Sequence, residues 1–322
     1  MSEIILPKFI NIGAGKVNSV NDILKKLNCE NPIIITDKTM VELNIIEPLE
    51  RTLTEMQIRY EIFNNTMPEP TAESIEEGVK LIKNGSFDCI IAFGGGSPID
   101  SAKAMSILAS KGGKMEDYKF PVISLESGIP LIAIPTTAGT GSEATKFTII
   151  TNEKNDEKML CVGPAFMPTA AIIDYELTYS VPKRTTADTA IDSLTHAIEA
   201  YVSKKSNIFS DTQAISAMKL IAPNIRKAFN NGKDQIAREK LMIGATLAGI
   251  AFSNSSVALV HGMSRPIGAF YHVPHGLSNA MLLPTVTEFS IPGATVKYSE
   301  CAKAIGIASF NDSIEDSNKK LL

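Results

Sequence analysis

The chain has 322 residues, of which 44% are hydrophobic and 20% are charged. This length exceeds the usual size of a single hydrophobic core, so two domains are expected. The net charge of -4 gives no electrostatic reason to expect nucleic acid or an anionic membrane surface as a partner. No apolar run approaches the roughly 20 residues that span a bilayer. Without a CxxC pair or a signal-peptide pattern, the sequence favours a cytoplasmic protein.

The first half of the chain alternates short apolar runs with segments of helical periodicity. The runs are rich in isoleucine and continuous, which is typical of strands buried on both faces of a parallel sheet. They lie at 32–37, 88–93, 130–135 and 170–174. Helices are predicted at 71–85 and from about Pro98 onwards. This rhythm predicts a Rossmann-like α/β domain over residues 1–180, with a parallel sheet.

After Pro182 the strand-like runs disappear and apolar residues recur at helical spacing. Helices are predicted at 185–204, 209–229, 236–252 and 296–305, and Pro223 is expected to kink or end the second of them. The sequence therefore predicts an all-α domain over residues 181–322. The chain stops without an obvious final element, so this domain is expected to be shortened at its C-terminus.

Three glycines follow one of the predicted strands. Gly94, Gly95 and Gly96 allow the backbone to approach a ligand closely, Ser97 is a good N-cap and Pro98 suits the first helical position. The N–H groups at such a helix start bind anions, most naturally a diphosphate. A tight turn without a ligand is the alternative. The pattern is neither GxGxxG nor a Walker loop, so motif matching alone names no dinucleotide.

A second polar loop, at 135–145, follows the next predicted strand. Ligands of open parallel sheets bind at the carboxyl ends of the strands, so the two loops are expected to line one crevice. An ordinary loop rich in serine, threonine and glycine is the alternative. The hydroxyl groups that would meet a cofactor here belong to Thr136, Thr137, Thr140 and Ser142.

Asp37 ends the strand predicted at 32–37. An acid at the end of an early strand can accept hydrogen bonds from both ribose hydroxyls of an adenosine. It would also repel a 2′-phosphate, which favours NAD over NADP. An aspartate in this position can equally well cap the following helix, and the sequence leaves both interpretations open.

The four histidines all lie between positions 196 and 275, which indicates a site because imidazole is the commonest metal ligand. Asp192 and His196 are four residues apart, on one face of a predicted helix. One straight helix would hold His261 and His275 roughly 21 Å apart, so the chain must fold back between them.

Pro266, Gly268, Pro274 and Gly276 are expected to end the helix there and allow that reversal. Three imidazoles and one carboxylate suit a catalytic cation such as Fe²⁺ or Zn²⁺. His272 remains open as a pocket residue, a proton carrier or a fifth ligand.

With these motifs together, the chain resembles the iron-containing (group III) alcohol dehydrogenase family. The matching segments are GGGSPIDSAK, PTTAGTGSEAT, the DxxxH formed by Asp192 and His196, and HGMSRPIGAFYHVPHGLSNAMLLP. They stand in the family's order, and the resemblance covers essentially the whole chain. It implies an N-terminal dinucleotide-binding domain and a C-terminal helical domain in a dehydroquinate synthase-like architecture, with a catalytic metal in the cleft between them.

The resemblance also implies roles for individual residues. Asp192, His196, His261 and His275 would be the metal ligands. Lys158 falls where the family commonly has a lysine facing the cofactor. Two positions depart from the family: Arg265 replaces a further histidine of some members, and Glu69 replaces an asparagine common near the cofactor. The expected cofactor contacts are Asp37, Gly94, Gly95, Gly96, Ser97, Asp100, Thr136, Thr137, Thr140, Ser142 and Lys158.

The function implied is reversible hydride transfer between NAD and a small primary alcohol or diol, with Fe²⁺, or alternatively Zn²⁺, as Lewis acid on the substrate oxygen. His272 is the candidate for proton transfer in the pocket. A homodimer or larger homo-oligomer is expected, with a small alcohol or aldehyde as the substrate. The alternatives are a zinc-dependent polyol dehydrogenase, a dehydroquinate-synthase-like lyase, and a non-catalytic remnant that binds NAD and metal.

Overall fold

The computed structural model describes residues 3–271 and 273–322. The chain divides into two compact units, each with its own core. One comprises Ile5–Thr137 and Ser142–Thr178, and we call it the sheet unit. The other is built mainly from Ala138–Gly141 and Tyr179–Leu322, and we call it the helical unit.

The strands of the sheet unit are β1 (Phe9–Ile12), β2 (Pro32–Ile35), β3 (Glu61–Phe63), β4 (Cys89–Gly94), β5 (Leu131–Pro135), β6 (Phe147–Asn152), β7 (Glu157–Val162) and β8 (Ala170–Ile173). Within the described residues, six of them form a wholly parallel sheet with the order β1-β8-β5-β4-β2-β3. Helices form the connections from β1 to β5, as parallel pairing requires a crossover, whereas the hairpin of β6 and β7 lies between β5 and β8. Its α-helices are α1 (Val20–Leu27), α2 (Lys38–Glu42), α3 (Glu47–Glu55), α4 (Ala72–Asn84) and α5 (Gly96–Lys111).

The continuous isoleucine runs are buried on both faces because successive side chains point to opposite sides of the sheet. Ile33 and Ile35 of β2 pack in one core with residues of α4 and α5. Ile34, between them, packs in the other core with residues of α1 and α3. The same alternation runs through β4 and β5, so helices cover both faces of the sheet.

The antiparallel hairpin formed by β6 and β7 was not predicted from the sequence. Successive β6 residues alternate between partly and fully buried, so only one face of the strand packs against the rest of the sheet unit. The short strands β1 and β3 were missed as well, since each occupies an edge of the sheet and buries less apolar surface.

The helical unit contains, within the described residues, α-helices and 3₁₀ turns without a strand. Its helices are α6 (Lys183–Val202), α7 (Ile208–Ile221), α8 (Ile225–Asn230), α9 (Gln235–Ser253), α10 (Leu259–Tyr271), α11 (His275–Ser290), α12 (Thr295–Ala304) and α13 (Ile314–Leu321). A 3₁₀ turn over Ala222–Asn224 separates α7 from α8, so Pro223 ends a helix as expected. Among the described residues, no helix is long and apolar enough to cross a bilayer. The predicted fold class, a Rossmann-like α/β part followed by an all-α part, is confirmed.

Two details of the prediction were wrong. Helix α5 begins at Gly96 with Gly95 as its N-cap, so Ser97 lies in the first turn instead of capping it. Helix α10 continues through Pro266 and Gly268 to Tyr271. A proline inside a helix costs about 3 kcal/mol, and here the packing of α10 against α11 and α6 offsets that cost. The reversal occurs after α10 ends.

A buried lysine joins α5 to the segment that follows β5. Lys103 is 1% exposed, and its ammonium donates hydrogen bonds to the Thr145 carbonyl at 3.0 Å, the Thr145 hydroxyl at 3.0 Å and the Phe147 carbonyl at 2.7 Å. Burial lowers the pKa of Lys103 to about 8, although Asp100 and Glu143 oppose this shift. These hydrogen bonds attach the chain that follows the polar loop to helix α5, which begins at the glycine turn.

We expect the contribution of Lys103 to stability to increase between pH 8 and pH 10.5, its ordinary pKa. In this window the unfolded chain holds a proton that the folded chain has lost, so the free energy of unfolding rises with pH. Relative to Lys103→Met, the wild type should gain up to about 1.4 kcal/mol per pH unit. Urea unfolding followed by circular dichroism measures the difference. Lys111→Met on the same helix is the control, and parallel pH curves for the wild type and Lys103→Met would contradict the prediction.

Candidate metal centre and anion site

Helix α6 carries two of the predicted ligands into the core of the helical unit. It packs against α7, α9 and α11, so most of its circumference is buried. Asp192 and His196 lie one turn apart and are 2% and 5% exposed. A carboxylate is rarely buried this deeply unless it is paired or binds a metal, so the position itself indicates a site.

The next two helices bring the remaining histidines to the same place. His261 lies in the first turn of α10, and His275 is the first residue of α11, after Pro274 as N-cap. Gly276 allows α11 to approach α6 closely, because a Cβ on Gly276 would lie 2.5 Å from the backbone oxygen of Asp188. The helix starts therefore position both imidazoles, as the predicted reversal requires.

One potential ligand atom from each of Asp192, His196, His261 and His275 lies within 4.8 Å of the other three. Asp192 Oδ1 is 3.5 Å from Nε2 of His261 and 3.7 Å from Nε2 of His275. The rings of His196 and His261 stack with centroids 4.3 Å apart. This spacing fits four ligands around one cation.

Asn279 shows that these atoms face a common point. Its side-chain nitrogen donates a hydrogen bond to Asp192 Oδ1 at 2.6 Å and lies 3.1 Å from Nε2 of His261 and 3.2 Å from Nε2 of His275. A cation bound by the same three atoms would need them to point at one position in this way. The arrangement therefore fits a divalent cation such as Fe²⁺ or Zn²⁺, which three imidazoles and one carboxylate suit.

The protonation of Asp192 and His196 also suits a metal, which binds ionised carboxylates and neutral imidazoles. Burial acts to raise the pKa of Asp192, but the surrounding His196, His275 and His261 hold that pKa well below its usual range. Burial lowers the pKa of His196 to about 3, against the opposing charge of Asp192. His196 Nδ1 is buried without a hydrogen-bond partner among the described residues, so a ligand is needed to satisfy it.

Glu199, one turn beyond His196 on α6, fixes the orientation of His261. Its carboxylate lies 2.6 Å from His261 Nδ1 and accepts a hydrogen bond from the backbone N–H of Val260 at 2.5 Å. Burial acts to lower the pKa of His261, but Asp192 and Glu199 outweigh it and the pKa is raised. With Nδ1–H directed at Glu199, Nε2 faces Asp192, and Glu199 also caps the start of α10.

In the sheet unit, three strand ends create the candidate anion site. Because β4 pairs with β2 and β5 in parallel, the residues that follow these strands meet at one edge of the sheet. Gly94 has a φ of +147°, and a Cβ there would lie 2.7 Å from Pro98. The Asp37 carboxylate accepts a hydrogen bond from the backbone N–H of Met40 at 3.1 Å, so Asp37 caps α2. It also lies beside Gly94, 3.6 Å from that Cβ position.

Of the hydroxyl-bearing residues of the second loop, Thr136, Thr137 and Ser142 belong to the sheet unit. The Thr137 hydroxyl lies beside Gly95, 3.5 Å from where its Cβ would be, and Thr136 is buried. Ser142 donates a hydrogen bond to Asp100 at 2.5 Å, while the other oxygen of Asp100 accepts from the backbone N–H of Ile149 at 3.1 Å. Both carboxylate oxygens of Asp100 therefore bind the protein and position the loop.

The other predicted site residues lie in different places. Thr140 falls within the segment that belongs to the helical unit. Lys158 lies on β7 and forms an ion pair with Glu69 at 3.1 Å. His272, the predicted pocket residue, lies outside the described residues. Arg265 lies one turn after His261 on α10, and its charge acts on both His196 and Glu199.

Sequence reasoning missed Glu199 and Asn279, although their spacing carried a signal. Asp192, His196 and Glu199 follow at intervals of four and three residues, which places them on one helix face. Asn279 stands four residues after His275, also one helical turn away. A search for further polar residues at helical spacing from each predicted ligand would have found both.

Comparison with known proteins relates both parts of the chain to one family. The family described as iron-containing alcohol dehydrogenase matches residues 7–175. The C-terminal part of the Fe-containing alcohol dehydrogenase family matches residues 186–321. The NAD-dependent methanol dehydrogenase of Bacillus methanolicus is 36% identical over 307 residues, which are 95% of this chain and 80% of that protein.

Solved structures agree with this result. A 1,3-propanediol oxidoreductase superposes with a TM-score of 0.95 at 31% identity, over 100% of this chain and 84% of that one. The sulfoacetaldehyde reductase of Bifidobacterium kashiwanohense, solved in complex with NAD⁺, gives a TM-score of 0.89 at 29% identity, over 100% and 86% of the two chains. The chain therefore belongs to the iron-containing (group III) alcohol dehydrogenase family of oxidoreductases.

Proposed function

We propose that this protein is a metal-dependent, NAD(H)-linked alcohol dehydrogenase that interconverts a small primary alcohol or diol and its aldehyde. The observation that carries the proposal is the convergence of Asp192, His196, His261 and His275 on one point within the helical unit. The relatives named for methanol dehydrogenation and 1,3-propanediol oxidation support this class of substrate.

Fe²⁺, or alternatively Zn²⁺, would be held by the three imidazoles and the carboxylate, and it would act as a Lewis acid on the substrate oxygen. The Asp192 carboxylate would offset part of the cation's charge. The His275 side chain is 40% exposed, whereas those of His196 and His261 are 7% and 3% exposed. Because only this ligand reaches solvent, we propose that substrate approaches the site beside His275.

The sheet unit would bind the dinucleotide. Free N–H groups at the start of α5 would bind the diphosphate, and the Thr137 hydroxyl lies beside the same turn. The Asp37 carboxylate lies next to Gly94, where it could accept hydrogen bonds from the hydroxyls of a ribose and would repel a 2′-phosphate. A neighbour solved with NAD⁺ supports this assignment, and the homo-oligomer expected from the sequence stays a prediction.

Asp192→Ala and His261→Ala should abolish both metal binding and turnover, because each removes a ligand from a four-ligand set. Metal content is measured on protein purified anaerobically with Fe²⁺ or Zn²⁺. Turnover is measured as NADH oxidation with a panel of short aldehydes. Asp188→Asn is the matched control, since Asp188 lies one turn earlier on α6 and pairs with Arg184 at 3.2 Å.

Full activity in either metal-free variant would contradict the role of the metal. A wild type that binds NADH and metal tightly but reduces none of the aldehydes would instead identify a non-catalytic binding protein.

Glu199→Gln should weaken metal affinity about 10- to 100-fold, the usual effect of losing an outer carboxylate on a ligand histidine. The amide keeps an acceptor for Val260 but lacks the charge that orients the Nδ1–H of His261. Isothermal titration with Zn²⁺ gives the affinity, and circular dichroism checks that α10 is retained. Glu199→Ala should lose more because it also removes the cap. Unchanged affinity in Glu199→Gln would show that Glu199 serves α10 alone.

A further inference from the structure

An ion pair lies at the edge of the candidate anion site in the sheet unit. Lys158 Nζ on β7 is 3.1 Å from Glu69 Oε1, which belongs to the segment between β3 and α4. The two side chains are 17% and 41% exposed. The lysine is thus largely withdrawn from water, so its charge acts on its neighbours more strongly than that of a fully exposed lysine.

The segment around Glu69 is held in place without this ion pair. The backbone N–H of Thr151 on β6 donates a hydrogen bond to the Pro70 carbonyl at 2.8 Å. The carboxylate of Glu153 accepts a hydrogen bond from the backbone N–H of Glu73 at 3.0 Å. These contacts fasten the segment to the hairpin, so it does not need the Glu69 side chain for its position.

The ion pair also lies close to the start of α5. The backbone N–H of Glu69 donates a hydrogen bond to the hydroxyl of Ser97 at 3.3 Å, and Ser97 lies in the first turn of that helix. Since a glutamate side chain spans about 5 Å, Lys158 Nζ is within roughly 11 Å of the Ser97 hydroxyl. This exceeds the screening length of about 8 Å at physiological ionic strength but lies well within the roughly 30 Å at 0.01 M salt, so both charges act on an anion bound at this helix start chiefly in low salt.

We propose that Glu69 sets the dinucleotide affinity of the sheet unit by neutralising Lys158 at the edge of the turn formed by residues 94–98. The inference rests on the proposed function, because the anion concerned is the diphosphate of NAD. With the ion pair intact, the two charges largely cancel at the diphosphate. Without the Glu69 charge, Lys158 attracts the diphosphate, whereas without the Lys158 charge, Glu69 repels it.

The test compares full-length Glu69→Gln, Lys158→Met and the double variant with the wild type. The dissociation constant for NADH is measured by fluorescence titration in low and in physiological salt. At a separation of about 11 Å and an effective dielectric constant of about 30, a unit charge changes the dissociation constant of a singly charged ligand about fivefold in low salt. We therefore expect Glu69→Gln to bind NADH about fivefold more tightly, Lys158→Met to bind correspondingly more weakly, and the double variant to lie near the wild type. The effects should shrink as salt rises.

Glu157→Gln is the matched control, because it changes the net charge equally and lies next to Lys158 on the same strand. Its side chain pairs with Lys119 at 2.7 Å, and neighbouring residues of a strand point to opposite faces. This variant should bind NADH as the wild type does.

NADH binding by Glu69→Gln that equals or is weaker than that of the wild type would overturn the proposal and would indicate that the ion pair serves only the structure of the sheet unit. A wild type that binds neither NADH nor NAD⁺ would instead refute the proposed function, so the two failures are distinguishable.

Discussion

The helical unit is organised around a charge that its core cannot hold alone. Asp192 is 2% exposed on a helix that is packed on most sides, and an unpaired carboxylate in such a place is strongly destabilising. Asn279 donates a hydrogen bond to this carboxylate and three imidazoles surround it, two of them supplied by helix starts that must reach α6. The close approach of Gly276 to Asp188 and the packing of α10 against α11 serve this requirement. The candidate metal centre and the packing of the unit therefore share one cause.

In the sheet unit the relevant charge is positive and comes from the backbone. The unit's candidate anion site would place positive partial charge, from the N–H groups at the start of α5, at an edge where three parallel strands end. Lys103 fastens the outgoing chain to that helix through the Thr145 and Phe147 carbonyls. Asp100 does the same through Ser142 and Ile149. Lys103, Asp100 and Ser142 are thus engaged within the protein, so the candidate anion site would rest on the backbone N–H groups at the start of α5.

Much of this could be predicted from sequence where one local pattern decides the structure. Continuous isoleucine runs predicted β2, β4, β5 and β8, since only strands buried on both faces tolerate them. The spacing of Asp192 and His196 placed both on one helix face. The path of α10 through Pro266 was not predictable, because tertiary packing overrides the local cost of proline there. The position of Glu199, three residues after His196, was a local signal that was overlooked, but its partner His261 lies 62 residues away, so no local pattern could show which ring it orients.

Glu199, which the sequence analysis missed, and Glu69, which it noted as a departure from the family, differ in burial and therefore in how they act. Glu199 is 3% exposed and hydrogen-bonded to a helix start and an imidazole, so its effect is directional and fixes one ring. Glu69 is partly exposed and pairs with one ammonium, so its effect is a charge balance that salt can weaken. The proposed dehydrogenase would need both kinds of control. A metal at Asp192 would have to be held in one geometry through every turnover, whereas a dinucleotide would have to bind and leave each time.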